Sequence, residues 1–391
     1  MRIKSYKSSI ISILFVLILC ASAIDLSFAQ SATNVEPVLS PTEAGIPLHP
    51  DVHFIVVDPA IKYATPYWLF LVTDDEGKAT WLKDIDNCNV SDPEKERLKE
   101  DMHNLWEKYP VKFTTDGNTT TISFATSNGT LSREDNLAIK RIFEARAICV
   151  DSYNSLNFVM SPEWAGIEHS DIASDAAEKW GLENAELVGR SAIEPDYWQV
   201  NIPYWLPQGI KNFIRNCLHS YDHYYNPALS FGDAPGNTAT YAIQAKNKLP
   251  DDPYNASILL GWSSHFIQDV GNPMHTGGDV NQANDYYYHP RGYPDMHTAY
   301  EGYVTSNWND RYEFKNVVTG NNRYIVVTDP AKSTKDAATF SNKYCETIIV
   351  TISNHRDTFP DDQNIKLVTE NCILETSKYE LGLVHYVKGN N

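Results

Sequence analysis

The feature that most restricts the fold is a run of ligand-type side chains at helical spacing. His265, Asp269 and His275 fall within Gly261-Trp-Ser-Ser-His-Phe-Ile-Gln-Asp-Val-Gly-Asn-Pro-Met-His275, and His297-Thr-Ala-Tyr-Glu301 follows. Side chains four positions apart leave an α-helix on one face, so each pair points at a single place. Gly271-Asn-Pro273 ends the first helix and turns His275 back toward that place. Imidazole nitrogens and carboxylate oxygens gathered in this way are zinc ligands, and a catalytic zinc keeps one position for water. A lone His-x3-Asp pair is an ordinary solvated helix face. Two such pairs joined by a Pro turn and a third histidine demand helices that meet at a polar centre.

Further candidates lie upstream: Trp164-x4-His169, Asp196-Tyr197 and His219-Ser-Tyr-Asp222. Around them the pattern is helical and aromatic, with helices expected at 165–180, 205–220, 254–270, 294–306, 333–354 and 364–386. Long loops are expected at 183–203, 221–240 and 276–293, and Tyr324 to Thr328 has strand character. Residues 161–391 therefore read as an all-α helical bundle. The tyrosine-rich stretches 221–225 and 285–288 are loop packing or pocket lining, and His223 and His289 are candidate outer-layer groups.

The preceding segment has another character. Residues 51–160 read as a small α+β domain, with strands at His53 to Val57 and Tyr67 to Val72 and a helix from Ser91 to Tyr109. A hairpin turns at Asp116-Gly117, and a helix from Ser132 places Ile139, Ile142 and Phe143 on one face. No catalytic constellation appears there, and His49, His53 and His103 read as packing or surface residues. Residues 30–50, rich in Ser, Thr, Pro and Gly, read as a linker. Residues 1–29 read as a signal peptide: Arg2, Lys4 and Lys7 precede an apolar run from Ile10 to Ala23, with small residues at cleavage positions. The run is short for a bilayer span. A secreted, extracellular protein is expected, in keeping with Asn-X-Ser/Thr sites at Asn89, Asn118, Asn128 and Asn255. Cys88, Cys149, Cys217, Cys345 and Cys372 show no CxxC spacing and do not read as zinc ligands.

A formal net charge of −18 argues against an extended nucleic-acid footprint and against anionic lipid surfaces. Bound cations offset that repulsion locally.

The order Trp164, His169, Asp196, His219, His265-x3-Asp269, His275, His297-x3-Glu301 resembles the zinc-dependent phospholipase C family and the related single-strand-specific zinc nucleases. The match runs from residue 164 to 301. The resemblance implies an all-α bundle carrying three zinc ions. One would be held by Asp196, His219, His265 and Asp269, and a second by His275, His297 and Glu301. The third would be held by Trp164 and His169, with Asp269 bridging. It implies hydrolysis of a phosphodiester by zinc-activated water, with Asp196 orienting or deprotonating that water. Tyr197 matches a residue that holds a choline-like head group, Glu168 matches an early glutamate, and Asn216 departs from a phenylalanine. The Trp-x4-His spacing is nearer to the nuclease branch. In the family the tryptophan is the mature N-terminus and its amine binds zinc. Here 163 residues precede Trp164, so either residues 30–163 are a pro-region that is removed or two zinc ions are bound.

Three functions follow. The first is a secreted phospholipase C-like hydrolase acting on a phospholipid or other phosphodiester, with transient membrane-surface contact and no protein partner. The second is a zinc nuclease with a nucleic-acid substrate. The third is a non-catalytic zinc-binding domain capped by the N-terminal unit.

Overall fold

Helix starts are written in this chain as aspartates, often followed by proline. Asp58, Asp252 and Asp329 each precede a proline, and each side chain accepts a hydrogen bond from a backbone N–H of the first turn, at 2.8, 3.2 and 3.1 Å. Asp74 and Asp362 cap in the same way, at 2.8 and 2.7 Å. The cap satisfies donors that the helix cannot, and the proline lacks the donor altogether. The computed structural model describes residues 47–126, 130–154, 166–198, 221–277 and 296–389, without the side chains of 147–154. The expected signal peptide, most of the linker, Trp164, Asn216, Cys217, His219, the 205–220 helix and the 285–289 stretch lie outside these residues.

Three strands form one sheet, β1 (Phe54–Val57), β2 (Val111–Asp116) and β3 (Thr119–Phe124), in the order β1-β3-β2. β2 and β3 are the expected hairpin, with Phe113 opposite Ile122. Gly117 opens its two-residue loop at φ 55°, which glycine adopts without steric cost. β1 lies parallel to β3, with Val57 opposite Ile122. The helices of this half are α1 (Pro59–Ala64), α2 (Asp75–Asp86), α3 (Asp92–Lys108) and α4 (Arg133–Asn154). The strand expected at Tyr67 to Val72 is instead a 3-10 turn at Trp68–Phe70, and residues 68–72 are all buried. A short apolar run with no polar alternation does not distinguish a strand from a buried turn.

Among its described residues the second half has helices and one isolated bridge, Asn226 to Phe231, but no strand. It comprises α5 (Ile167–Lys179), α6 (Ala185–Ser191), α7 (Ala234–Lys248), α8 (Pro253–Asp269), α9 (Met296–Ser306), α10 (Lys315–Gly320), α11 (Pro330–Asn342), α12 (Cys345–Asn354) and α13 (Gln363–Lys388). Four expectations change. The 183–203 stretch holds α6 and a 3-10 turn at Glu194–Tyr197, α7 begins inside the expected loop 221–240, and 333–354 divides into α11 and α12. Tyr324 to Thr328 is irregular. Ile325 donates its N–H to the Lys378 carbonyl of α13 at 3.1 Å, so a helix rather than a strand is its partner.

Among the described residues two hydrophobic cores result. One joins the sheet and α2 to α4 with α9, α12 and the first half of α13, through Trp68, Trp81, Phe143, Tyr300, Ile348 and Ile365. The other joins α5 to α8 and α11 with the second half of α13, through Ala173, Leu260, Ile267, Leu383 and Val384. The segment expected as a unit of its own at 51–160 thus shares its core with the C-terminal helices. Cys88 is disulfide-bonded, and Cys345 and Cys372 are buried thiols. Among the described residues, no helix is long and apolar enough to cross a membrane.

Candidate metal centre

α8 is the axis of the site. Its last two turns are buried on every side, and the side chains of His265 and Asp269 are 0% and 2% exposed. Gly261 allows α6 to press against this helix, because a Cβ there would stand 2.4 Å from the Val188 carbonyl oxygen. That approach brings the Ala192 carbonyl to 2.7 Å from His265 Nδ1. A carbonyl only accepts, so the proton is on Nδ1 and Nε2 is the atom left for a ligand. His275 is oriented in the same way, its Nδ1 donating to the His223 carbonyl at 3.1 Å.

Around His265 Nε2 stand Asp269 Oδ2 at 3.1 Å, Asp196 Oδ1 at 3.2 Å and His223 Nδ1 at 2.8 Å. Asp269 also reaches His223 Nδ1 at 2.8 Å through Oδ2 and His169 Nε2 at 3.5 Å through Oδ1. Beyond it, His275 Nε2 and His297 Nε2 lie 3.0 Å apart and meet Glu301 Oε1 at 3.1 and 2.6 Å. Asn272 donates to the same Glu301 oxygen at 3.0 Å. Among the described residues three sets of donors converge: His169, His265 and Asp269; Asp196, His223 and His265; His275, His297 and Glu301. His265 offers only Nε2, so the first two sets share one atom.

This donor chemistry fits zinc. Nitrogen lone pairs face one another and face carboxylate oxygens inside protein, an arrangement that needs positive charge between them. Asp196 Oδ1 is buried with no hydrogen-bond partner. Without metal, the charge is a proton. Burial alone would push the His265 imidazole down, but Asp269 and Asp196 outweigh it and hold it well above its usual range. Burial would raise Asp269, yet His265 and His223 hold it well below the usual carboxylate range. Glu301 is likewise lowered, burial being outweighed by His297 and His275.

The structure brings together seven of the nine expected ligands: His169, Asp196, His265, Asp269, His275, His297 and Glu301. Trp164 and His219 lie outside the described residues. His223, read from the sequence as an outer-layer group, stands in the inner cluster. Its place four residues after His219 in the sequence was the available signal, and only the fold shows which carboxylates its ring meets. Tyr197 is 64% exposed, beside Asp196. Glu168 is fully buried, and burial pushes its carboxyl up to about 8, with Glu301 and Asp171 adding to the shift. His49 and His53 bond Glu370 Oε2 at 2.7 Å and Thr120 Oγ1 at 2.8 Å, away from this centre.

No protein-family model and no curated protein matches the chain. Among solved structures it is similar to the alpha-toxin of Clostridium perfringens from an avian strain, at TM-score 0.36 and 16% identity over 58% of this chain and 64% of that one. It is also similar to the alpha-toxin of Clostridium absonum, at TM-score 0.37 and 15% identity over 57% and 62%. The matched region is under two thirds of either toxin. Likeness at this level leaves the chemistry to be read from the side chains themselves.

Proposed function

We propose that this chain is a secreted zinc-dependent phosphodiesterase of the phospholipase C kind, cleaving the head-group phosphodiester of a phospholipid. The observation that carries the reading is the position of Asp269, whose two oxygens reach His169 on one side and His265 and His223 on the other. One carboxylate then links adjacent donor sets, as a multinuclear centre requires. His265, His223, Asp196 and Asp269 would hold one zinc, and His275, His297 and Glu301 a second. His169 and Asp269 would hold a third only where the chain is cut before Trp164 and its amine is freed; the uncut chain would hold two. Zinc bound there would supply Lewis acidity, lowering the pKa of water and offsetting charge on the phosphate oxygens.

Asp196 is the group to orient the attacking water or accept its proton. Its side chain is 5% exposed, and its Oδ1 lies 3.2 Å from His265 Nε2. Attack at phosphorus breaks the bond to the glycerol oxygen, and the proton lost by water ends on that leaving oxygen. Tyr197, exposed on the same 3-10 turn, would face the head group. Behind it Trp198, Tyr241 and Trp262 stand edge to face at 5.2 to 5.6 Å and form an aromatic wall. A net charge of −18 favours a zwitterionic lipid over a polyanion. Secretion is supported by the basic and apolar N-terminal segment.

The test is turnover by the zinc-loaded full chain on a choline phosphodiester and on single-stranded DNA side by side. Faster ester hydrolysis, lost in Asp196→Asn, is expected. Faster DNA cleavage would assign the aromatic wall to base stacking and replace phospholipase with nuclease. Bound zinc without turnover on either would leave a non-catalytic zinc domain.

A further inference from the structure

His169 differs from the other histidines in how its ring is held. His265 and His275 each donate Nδ1–H to a backbone carbonyl, which cannot exchange donor for acceptor. His169 Nδ1 instead faces the side-chain amide of Gln268, with Oε1 at 2.8 Å. An amide can turn over. With its nitrogen toward His169, the ring would carry its proton on Nε2 and present a donor, not a lone pair, toward Asp269. Something must therefore hold the amide in one orientation.

That group is Glu380 on α13. Its side chain is fully buried, as is that of Gln268. Gln268 Nε2 donates to Glu380 Oε2 at 3.1 Å, and Ser264 Oγ donates to Oε1 at 2.5 Å. A carboxylate in the core satisfied by two neutral donors is costly to bury, and burial pushes this one up to about 7. It does, however, accept from the one atom of Gln268 that identifies the amide's orientation.

We propose that Glu380 is a positioning residue which, through Gln268, fixes the Nδ1–H tautomer of His169 and so sets metal affinity at the His169–Asp269 position. This rests on the metal reading above. Outer partners of metal-binding histidines ordinarily change affinity by roughly 10–100-fold when removed. The effect spares the His275–His297–Glu301 position, which shares no atom with the relay.

The experiment titrates zinc-free full-length chain with cobalt(II) and follows its visible absorption, a readout independent of turnover. Glu380→Leu and Gln268→Met are expected to weaken one cobalt position by roughly 10–100-fold and leave another unchanged. Glu380→Gln keeps an oxygen for the Gln268 amide and should stay within a few-fold of the parent. Parental affinity in Glu380→Leu overturns the proposal. If Glu380→Leu does not fold, Gln268→Met and the nitrogen-15 spectrum of histidine-labelled, zinc-free parent decide. His169 should carry its proton on Nδ1, and a proton on Nε2 overturns the relay. A parent that takes up no cobalt removes the metal reading, while the tautomer still reports on the relay.

Discussion

His265 and Asp269 face one another across the last turn of α8, Nε2 to Oδ2 at 3.1 Å, both inside protein. Neither can be hydrated, so the pair is stable only with positive charge at its centre. His265→Ala removes the atom shared by two donor sets. Zinc content measured by atomic absorption should fall by at least one equivalent. At zinc about a hundredfold above Kd, binding stabilises the parent by about 2.7 kcal/mol, and the variant should lose most of that gain in thermal denaturation. Full zinc content in the variant would show that the ligands lie elsewhere.

The metal motif was legible because it is local. His265, Asp269 and His275, like His297 and Glu301, gather by helix geometry and one Pro turn, and spacing alone says so. Asp196 and His169 entered through family order, which preserves sequence but not distance. His223 was less visible, because its place depends on Tyr225 donating its N–H to the His275 carbonyl at 3.1 Å. Glu380 was invisible in sequence. On a 26-residue helix with mixed composition, nothing marks the one glutamate that meets Gln268. The shared core was missed for the same reason. Trp81 and Phe143 pack with Ile348 and Ile365 only after distant segments meet.

Away from the centre, His355 provides a pH-dependent contact between α2 and the end of α12. Its Nε2 lies 3.1 Å from Asp74 Oδ2 and its Nδ1 3.2 Å from Glu76 Oε2. The hydrogen bond to Asp74 raises the imidazole from its ordinary 6.5 to about 9. A pKa raised on folding means the folded chain holds the proton more tightly, so this stabilisation is complete below 6.5 and fades as pH rises through about 9. His355→Gln should therefore lower the melting temperature at pH 6 and leave it unchanged at pH 10. An equal loss at both values would mean that packing, not charge, is what His355 contributes.

A buried ion cluster ties α2 to α4 and to the chain after α12. Arg146 Nε donates to Asp84 Oδ2 at 2.7 Å while its side chain is 1% exposed, and Arg356 Nη2 donates to Asp84 Oδ1 at 2.7 Å. The Arg146 guanidinium also lies 3.9 Å from the Trp81 ring centroid. Asp84→Ala leaves that guanidinium in the core without its carboxylate, which costs about 3–5 kcal/mol in comparable sites. The midpoint of urea unfolding should fall accordingly, with zinc content unaltered. A change below about 1 kcal/mol, the worth of an exposed pair, would show that Arg146 reaches water in solution.

A chain begun at Trp164 would lack strand β1 and the contacts it makes. Strand β1 is bound to α12 and α13 by more than contact. Ile55 donates its N–H to Thr347 Oγ1 at 3.0 Å, Val57 to Glu346 Oε2 at 2.8 Å and His53 to Asn364 Oδ1 at 2.8 Å. Lys62 Nζ meets Glu346 Oε1 at 2.5 Å, and Phe54 stacks on Tyr344 at 5.4 Å. Removing residues 1–163 strips the sheet and α2 to α4 from a continuous core and exposes Tyr300, Ile348, Ile365 and Val368 together. An apolar patch of that extent drives association. The 164–391 fragment should therefore aggregate or elute with α-helical content well below that of the parent in size-exclusion chromatography and circular dichroism. Cutting the chain before Trp164 without removing the first half should instead leave both pieces together on a non-reducing column. If the fragment alone is monomeric, folded and binds zinc, then the first half is a removable pro-region, and the core it shares with α9, α12 and α13 is dispensable for the metal centre.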